Sequence, residues 1–136
     1  MTVPAGYSGT PLVRKLGIRA GARVLLVGAP PGFELPDVPA GVALHRRAGP
    51  VPYDVVLAFC PDRATLVTRF APLSGKLTTA GALWIGWPKK SAGVPTDLTE
   101  SAVRDHGLAV GLVDVKVAAI DPVWAGLKFV VRLKDR

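Results

Sequence analysis

Val24-Leu25-Leu26-Val27, Val55-Val56-Leu57-Ala58-Phe59 and Ala82-Leu83-Trp84-Ile85 are continuous apolar runs. Each is short and unbroken by polar residues. Such runs suit strands covered on both faces, the situation of a parallel sheet. Strands are therefore expected over 23–28, 53–59 and 81–87, with a shorter one at Val42-Ala43-Leu44-His45. Towards the C-terminus the period changes. Val113, Val115, Val117 and Ala119 alternate with Asp114, Lys116 and Ala118, and Ala125, Leu127, Phe129, Val131 and Leu133 alternate with Gly126, Lys128 and Arg132. With Asp121-Pro122 as the turn, this pattern predicts an antiparallel hairpin.

Helical signals fall between the strands. Thr10 as cap, Pro11 at the first position and Gly17 as a left-handed stop frame a short helix. Leu66, Val67, Phe70, Leu73 and Leu77 share one face of a helix begun by Asp62, which Pro72 is expected to kink or divide. Asp97 and Glu100 have the spacing of a capping box, and the helix they start is expected to end at Gly107. Pro30, Pro31, Pro36 and Pro39 leave room for one helical turn at most between the first two strands.

The chain has 136 residues, 49% of them hydrophobic and 20% charged, the size and composition of one globular domain. The expected organisation is an N-terminal helix segment (1–19), an α/β core (20–107) and a terminal hairpin (108–133). Cys60 is the single cysteine, which excludes an internal disulfide and a cysteine-rich zinc site and fits a cytoplasmic protein. Met1 to Tyr7 lacks the charged-then-apolar order of a signal peptide. No apolar run approaches the length of a membrane span. The net charge of +7 favours anionic partners. The basic residues form only doublets, Arg14-Lys15, Arg46-Arg47 and Lys89-Lys90, so no basic tail exists.

The expected fold is α/β: a mainly parallel, Rossmann-like sheet with helices on its faces and a C-terminal antiparallel hairpin. Its element order resembles the class I methyltransferase fold with the middle shortened. Tyr53-Asp54-Val55-Val56-Leu57 looks like that fold's fourth strand, Leu77 to Ile85 like its helix end, glycine turn and fifth strand, and the hairpin like its last two strands. The resemblance implies an acidic-x-Gly-x-Gly-x-Gly loop around S-adenosylmethionine after the first strand. Here Leu26 stands at the acid, Pro30 at the middle glycine, and Gly28 and Gly32 at the flanking glycines. After the second strand the resemblance implies an acid for the ribose hydroxyls, where this chain has His45-Arg46-Arg47. A second resemblance is to a family of small bacterial proteins with no assigned reaction. It is carried by Gly6-Tyr7-Ser8-Gly9-Thr10-Pro11-Leu12, Trp87-Pro88-Lys89-Lys90-Ser91 and Gly93-Val94-Pro95-Thr96-Asp97-Leu98.

The best candidate site is the loop after the Trp84 strand, because ligands of open α/β sheets bind at the carboxyl ends of the strands. Lys89 and Lys90 supply charge, Ser91 and the Gly93 backbone supply hydrogen bonds, and Trp87 offers a stacking face for an anionic ligand. The competing reading is a solvated surface loop. Ser8 is a further anion candidate at the first helix start. Cys60 reads as a small buried residue, His106 as a helix-end histidine in contact with the dipole, and Trp84 as core. Asp114 and Lys116 are expected to pair across the hairpin with Lys128 and Arg132, and the hairpin edge can serve a homodimer. No metal site and no catalytic residue are assigned. The leading expectation is a non-catalytic or degenerate methyltransferase-like domain that takes an anionic small molecule or a protein partner and no cofactor. An active S-adenosylmethionine-dependent methyltransferase with an altered loop is the alternative. Non-specific nucleic-acid binding comes third, because charge favours it and no aromatic-basic motif supports it.

Overall fold

A computed structural model describes residues 9–136. In chain order the elements are α1 (Leu12–Leu16), β1 (Arg23–Val27), β2 (Ala43–His45), β3 (Tyr53–Phe59), α2 (Arg63–Ser74), β4 (Leu77–Pro88), a 3-10 turn (Lys90–Ala92), α3 (Glu100–Val110), β5 (Leu112–Ala119), β6 (Trp124–Val131) and a last 3-10 turn (Leu133–Asp135). One six-stranded sheet has the order β2-β1-β3-β4-β6-β5. β2, β1, β3 and β4 run parallel, and β6 and β5 are antiparallel additions at the β4 side. The mainly parallel sheet with a C-terminal hairpin is the architecture the apolar runs predict.

Both faces of the central strands are covered. Leu25, Val56, Ala58, Leu83, Ile85 and Trp87 pack on one face with Leu66, Phe70 and Leu73 of α2 and Val103 of α3. Val24, Leu26, Val55, Leu57, Ala82 and Trp84 pack on the other with Leu12, Val13 and Leu16 of α1. This second face carries a five-residue helix, and the proline-rich loop completes it through Leu35 and Phe33. Trp84 is core, as expected. It is fully buried and its Nε1 donates to the carbonyl of Leu16 at 3.2 Å, which ties α1 to the sheet.

Several local expectations are corrected. Pro11, not Thr10, occupies the cap position of α1, while Gly17 ends the helix at φ 78° as expected. α2 runs through Pro72 to Ser74, so the proline near its end neither divides nor stops it. Val67 is 53% exposed, off the buried face. Leu77 belongs to β4, where it pairs with Tyr53. The register then shifts so that Val55 meets Ala82. Gly81 sits inside this irregularity, where a Cβ would lie 2.8 Å from the carbonyl oxygen of Tyr53.

α3 begins two residues later than the Asp97–Glu100 spacing suggests. Thr99 is its cap, accepting from the Ala102 N–H at 3.1 Å. The Asp97 carboxylate instead accepts the backbone N–H of Arg63 at 2.8 Å. Asp62 accepts from Thr65 N–H at the same helix start, so two carboxylates from separate segments satisfy α2. Glu100 turns to Arg104 at 2.6 Å. The helix passes Gly107 and ends at Gly111, φ 113°. Gly107 marks close packing rather than a stop, because a Cβ there would collide with the ring of Phe129. His106 is therefore mid-helix, edge-on to Phe70 at 5.4 Å, and not at a dipole end.

The hairpin pairs form differently too. Asp114 bonds Arg104 of α3 at 2.9 Å, and Arg132 donates to the Gly111 carbonyl and pairs with Asp135. A bulge between Asp114 and Lys116 sets Lys116 opposite Lys128, like charge against like. The bulge and Lys116 lie on the outer strand β5, devices that blunt a sheet edge.

Asp97→Ala is expected to cost about 1 kcal/mol, the usual value of a lost helix cap. The lesion should fall on α2. Hydrogen exchange should lose protection at the Arg63 amide and leave Ala102 unchanged. The opposite pattern would return Asp97 to α3.

Candidate functional site

In the order β2-β1-β3-β4 the chain reverses direction of growth between β1 and β3. The carboxyl ends of two such strands diverge into a crevice. β1 leads into Gly28, at φ 68°, and the loop turns again at Gly32, at φ 80°. Between them Phe33 N–H bonds the Pro30 carbonyl at 3.0 Å, and the Phe33 ring meets Phe59 edge-on at 4.9 Å. Arg69 projects from α2 over this turn. Its Nη1 donates to the Phe59 carbonyl, the last of β3, at 2.6 Å. A Cβ at Gly28 would occupy the place of that guanidinium. Glycine is favoured at 28 by its left-handed φ.

Cys60 follows β3, fully buried, with its N–H on the Gly86 carbonyl at 2.7 Å. Burial pushes its thiol up to about 11, against the pull of Arg69. It is a packed, protonated thiol and not a nucleophile. At the end of β2, His45 Nδ1 lies 2.7 Å from the Tyr53 hydroxyl, which also accepts the Gly49 N–H at 2.9 Å. Arg46 and Arg47 are exposed.

A second concavity of about 680 Å³ opens at the end of β4, beside α3. Trp87, Lys89, Lys90, Gly93 and Leu98 line it, with Glu100 at its rim. The loop is held in shape by Lys89 N–H on the Val123 carbonyl at 2.7 Å and by Gly93 in the left-handed region, φ 69°. Trp87 is 5% exposed, so it walls the pocket rather than offering an open stacking face. Lys90 and Ser91 are exposed and Lys89 is half-buried. Thr96 donates its hydroxyl to the Pro61 carbonyl at 2.7 Å, which links this pocket's loop to the turn after Cys60. The structure thus gathers Trp87, Lys89, Lys90 and Gly93 around one pocket and places Gly28 and Gly32 in a separate crevice. Ser8 lies outside the described residues.

Two cations escaped the sequence reading. Lys15 of α1 is buried, with Nζ on the Ala119 carbonyl at 3.2 Å. Burial lowers its pKa, and the charges of Lys89 and Lys116 lower it further, so three ammonium groups share this side of the sheet. Arg69 lies three residues after buried Leu66 and one before buried Phe70. A charged residue at such a core-facing spacing was the available signal. Among the described residues no group of histidine, cysteine and acidic side chains is placed to hold a metal, and no helix is long and apolar enough to cross a membrane.

No family model matches the chain, and no curated protein matches it. Solved structures do. A SAM-dependent methyltransferase from Aquifex aeolicus is similar with TM-score 0.64 and 14% identity, over 87% of this chain and 86% of that one. Magnesium protoporphyrin IX methyltransferase from Synechocystis PCC 6803, with S-adenosylmethionine bound, is similar with TM-score 0.61 and 13% identity, over 89% and 74%. A complex of DhpI with S-adenosylhomocysteine is similar with TM-score 0.61 and 11% identity, over 88% and 81%. These likenesses establish a methyltransferase-like Rossmann fold. They also correct the expectation of a chain without cofactor, because one of these three is SAM-dependent by name and the other two hold S-adenosylmethionine or S-adenosylhomocysteine.

At the methionine end of that cofactor the chain keeps two left-handed glycine turns, Gly28 and Gly32, and the guanidinium of Arg69 lies against Gly28. The ribose end departs from the pattern, since His45, Arg46 and Arg47 stand where an acid is expected. Leu26, at the other acidic position, is 1% exposed in the α1-side core.

The buried thiol gives a direct check. With a pKa near 11, Cys60 at pH 8 carries far less thiolate than a free cysteine near 8.5. An aromatic disulfide should modify the native chain about a hundredfold more slowly than the unfolded chain. Equal rates would mean that the β3 end is open to solvent.

Proposed function

We propose that this chain binds S-adenosylmethionine in the crevice between β1 and β3 and transfers its methyl group to an anionic small molecule held in the pocket beside β4. It is, on this reading, a methyltransferase with an altered cofactor loop. The observation that carries the reading is Gly28: a left-handed glycine directly after β1, at the switch point of a methyltransferase-like sheet. When bound, the cofactor would supply an electrophilic methyl group: the acceptor's lone pair would bond to the methyl carbon as the carbon–sulfur bond breaks, its electrons leaving on the neutral sulfur of S-adenosylhomocysteine.

The chain's own residues then have distinct tasks. The Gly28 turn allows the backbone to approach the ligand closely. Lys89 and Lys90 attract and hold the acceptor's negative group through charge-assisted hydrogen bonds. Trp87 and Leu98, both buried, give that pocket an apolar wall that orients the rest of the acceptor. The Thr96–Pro61 bond keeps the two cavities in register. The resemblance to the small bacterial family belongs to this reading as well, since the segments 87–91 and 93–98 that carry it also line the pocket.

Calorimetry is expected to give a micromolar dissociation constant for S-adenosylmethionine and for S-adenosylhomocysteine, with a rise in melting temperature. Absence of binding by both would overturn the reading. Lys89→Ala with Lys90→Ala should leave cofactor affinity unchanged and stability within about 0.5 kcal/mol, as for surface substitutions. It should abolish the thermal shift given by any carboxylated or phosphorylated metabolite found in a screen with S-adenosylhomocysteine present. Lys134→Ala with Arg136→Ala removes the same charge far from the pocket and should not. Equal loss from both pairs would assign the binding to overall charge.

A further inference from the structure

Arg69 is the one guanidinium placed over the β1–β3 crevice. It is held there by a single bond, Nη1 to the Phe59 carbonyl at 2.6 Å. A guanidinium has five N–H donors, arranged as a fork that matches a carboxylate. Among the described residues no carboxylate lies within ion-pair distance of Arg69, and its remaining donors have no protein partner. The nearest acid that influences the same turn, Asp62, is occupied by the Thr65 N–H. A half-buried arginine tethered by one donor, with no carboxylate beside it among the described residues, has donors left for an anion.

The loop beneath it explains what the ion pair would replace. Pro30 and Pro31 have no N–H. The Phe33 N–H is spent on the Pro30 carbonyl. A turn that would ordinarily offer a run of backbone donors to an anion is therefore short of them. Arg69 brings donors to the same place from the opposite wall.

We propose that Arg69 binds the amino-acid carboxylate of the cofactor, taking over the anchoring that the proline loop cannot provide. The inference rests on the reading that this crevice takes S-adenosylmethionine. The Phe59 carbonyl would hold the guanidinium by one donor and leave the others for the carboxylate. Arg69 is a binding residue here and takes no part in methyl transfer.

The test compares two ligands that share the adenosine and differ in the amino-acid part. S-adenosylhomocysteine carries the carboxylate and 5′-methylthioadenosine lacks it. Calorimetry is expected to show that Arg69→Met weakens S-adenosylhomocysteine by about 10- to 100-fold, the range of a lost charge-assisted pair, and leaves methylthioadenosine within about twofold. Arg69→Lys, which keeps the charge and loses the fork, should recover part of the loss. Circular dichroism melting curves run beside both variants confirm folding, and the lysine variant alone carries the comparison if the methionine variant does not fold. Equal weakening of both ligands would overturn the proposal and make Arg69 a support for the crevice wall. Unchanged S-adenosylhomocysteine affinity would overturn it, as would tighter binding, which would mean that Arg69 fills the cofactor's place. Failure of the wild-type chain to bind S-adenosylhomocysteine at all would remove the underlying reading, an outcome distinct from any pattern among the variants.

Discussion

Tyr53 to Cys60 runs between β1 and β4 with every residue except Asp54 buried. A strand of this kind has no solvent face, so its neighbours on both sides of the sheet are obligatory. α2 and α3 close one side. Among the described residues the other side has α1, the loop after β1 and Ile120 of the β5–β6 turn, and Leu16, Leu35 and Trp84 meet there. The Trp84 indole shows the cost of that arrangement: its N–H is buried and finds its acceptor on α1 itself. Once β3 is fixed in register with β1 and β4, the ends of the three strands are fixed as well. Gly28, the Phe59 carbonyl and the Lys89 loop all follow from that register, and each candidate site hangs from one of those ends.

The central strands were legible because their signal is a property of the strand alone. Val55 to Phe59 is apolar at every position, and only burial on both faces accounts for that. The hairpin was legible for the same reason, through its alternation. What could not be read depends on a neighbour distant in sequence. The Asp97–Glu100 spacing satisfies a local rule, yet Asp97 finds the Arg63 amide of another helix. Gly107 looks like a stop, yet it is where Phe129 packs. In both cases tertiary contact overrides a local signature. For the sites, the placement of Lys89 and Lys90 at a strand end was visible in the sequence, whereas Arg69 was hidden because a helix arginine ordinarily reads as solvated.

The acidic residues explain the electrostatics of the whole. Asp54 accepts the Arg23 N–H, Asp62 and Asp97 serve the start of α2, Glu100 and Asp114 hold Arg104, and Asp121 accepts the Val123 and Trp124 N–H groups of the last turn. Most of the negative charge is thus committed to backbone and to one arginine. Thr65 lowers the Asp62 pKa by hydrogen bonding, so this contribution to stability is present above the ordinary aspartate range and is lost as pH falls through the depressed value. The cations near the carboxyl ends are placed differently. Arg69 is held by a carbonyl, Lys15 touches a carbonyl, and Lys89 and Lys116 bear on Lys15 as repulsion. The excess of 17 basic over 10 acidic residues is therefore not spread evenly in effect.

That imbalance bears on which acceptor the proposed reaction can use. Methyl transfer needs a lone pair on the acceptor, and a neutral alcohol or ammonium needs a base to expose one. Among the described residues three groups near the crevice are already engaged. Cys60 is held protonated by burial, His45 is engaged with Tyr53, and the Asp62 carboxylate is bound to an amide. Lys89 and Lys90 do the reverse of a base: their charge favours an acceptor that is already deprotonated. A carboxylate or a similarly acidic oxygen meets both conditions, since it arrives with its lone pair exposed and with the charge that the lysines recognise. The same positive field that draws such an acceptor in would oppose the sulfonium of the cofactor, and the carboxylate proposed to face Arg69 would offset this repulsion.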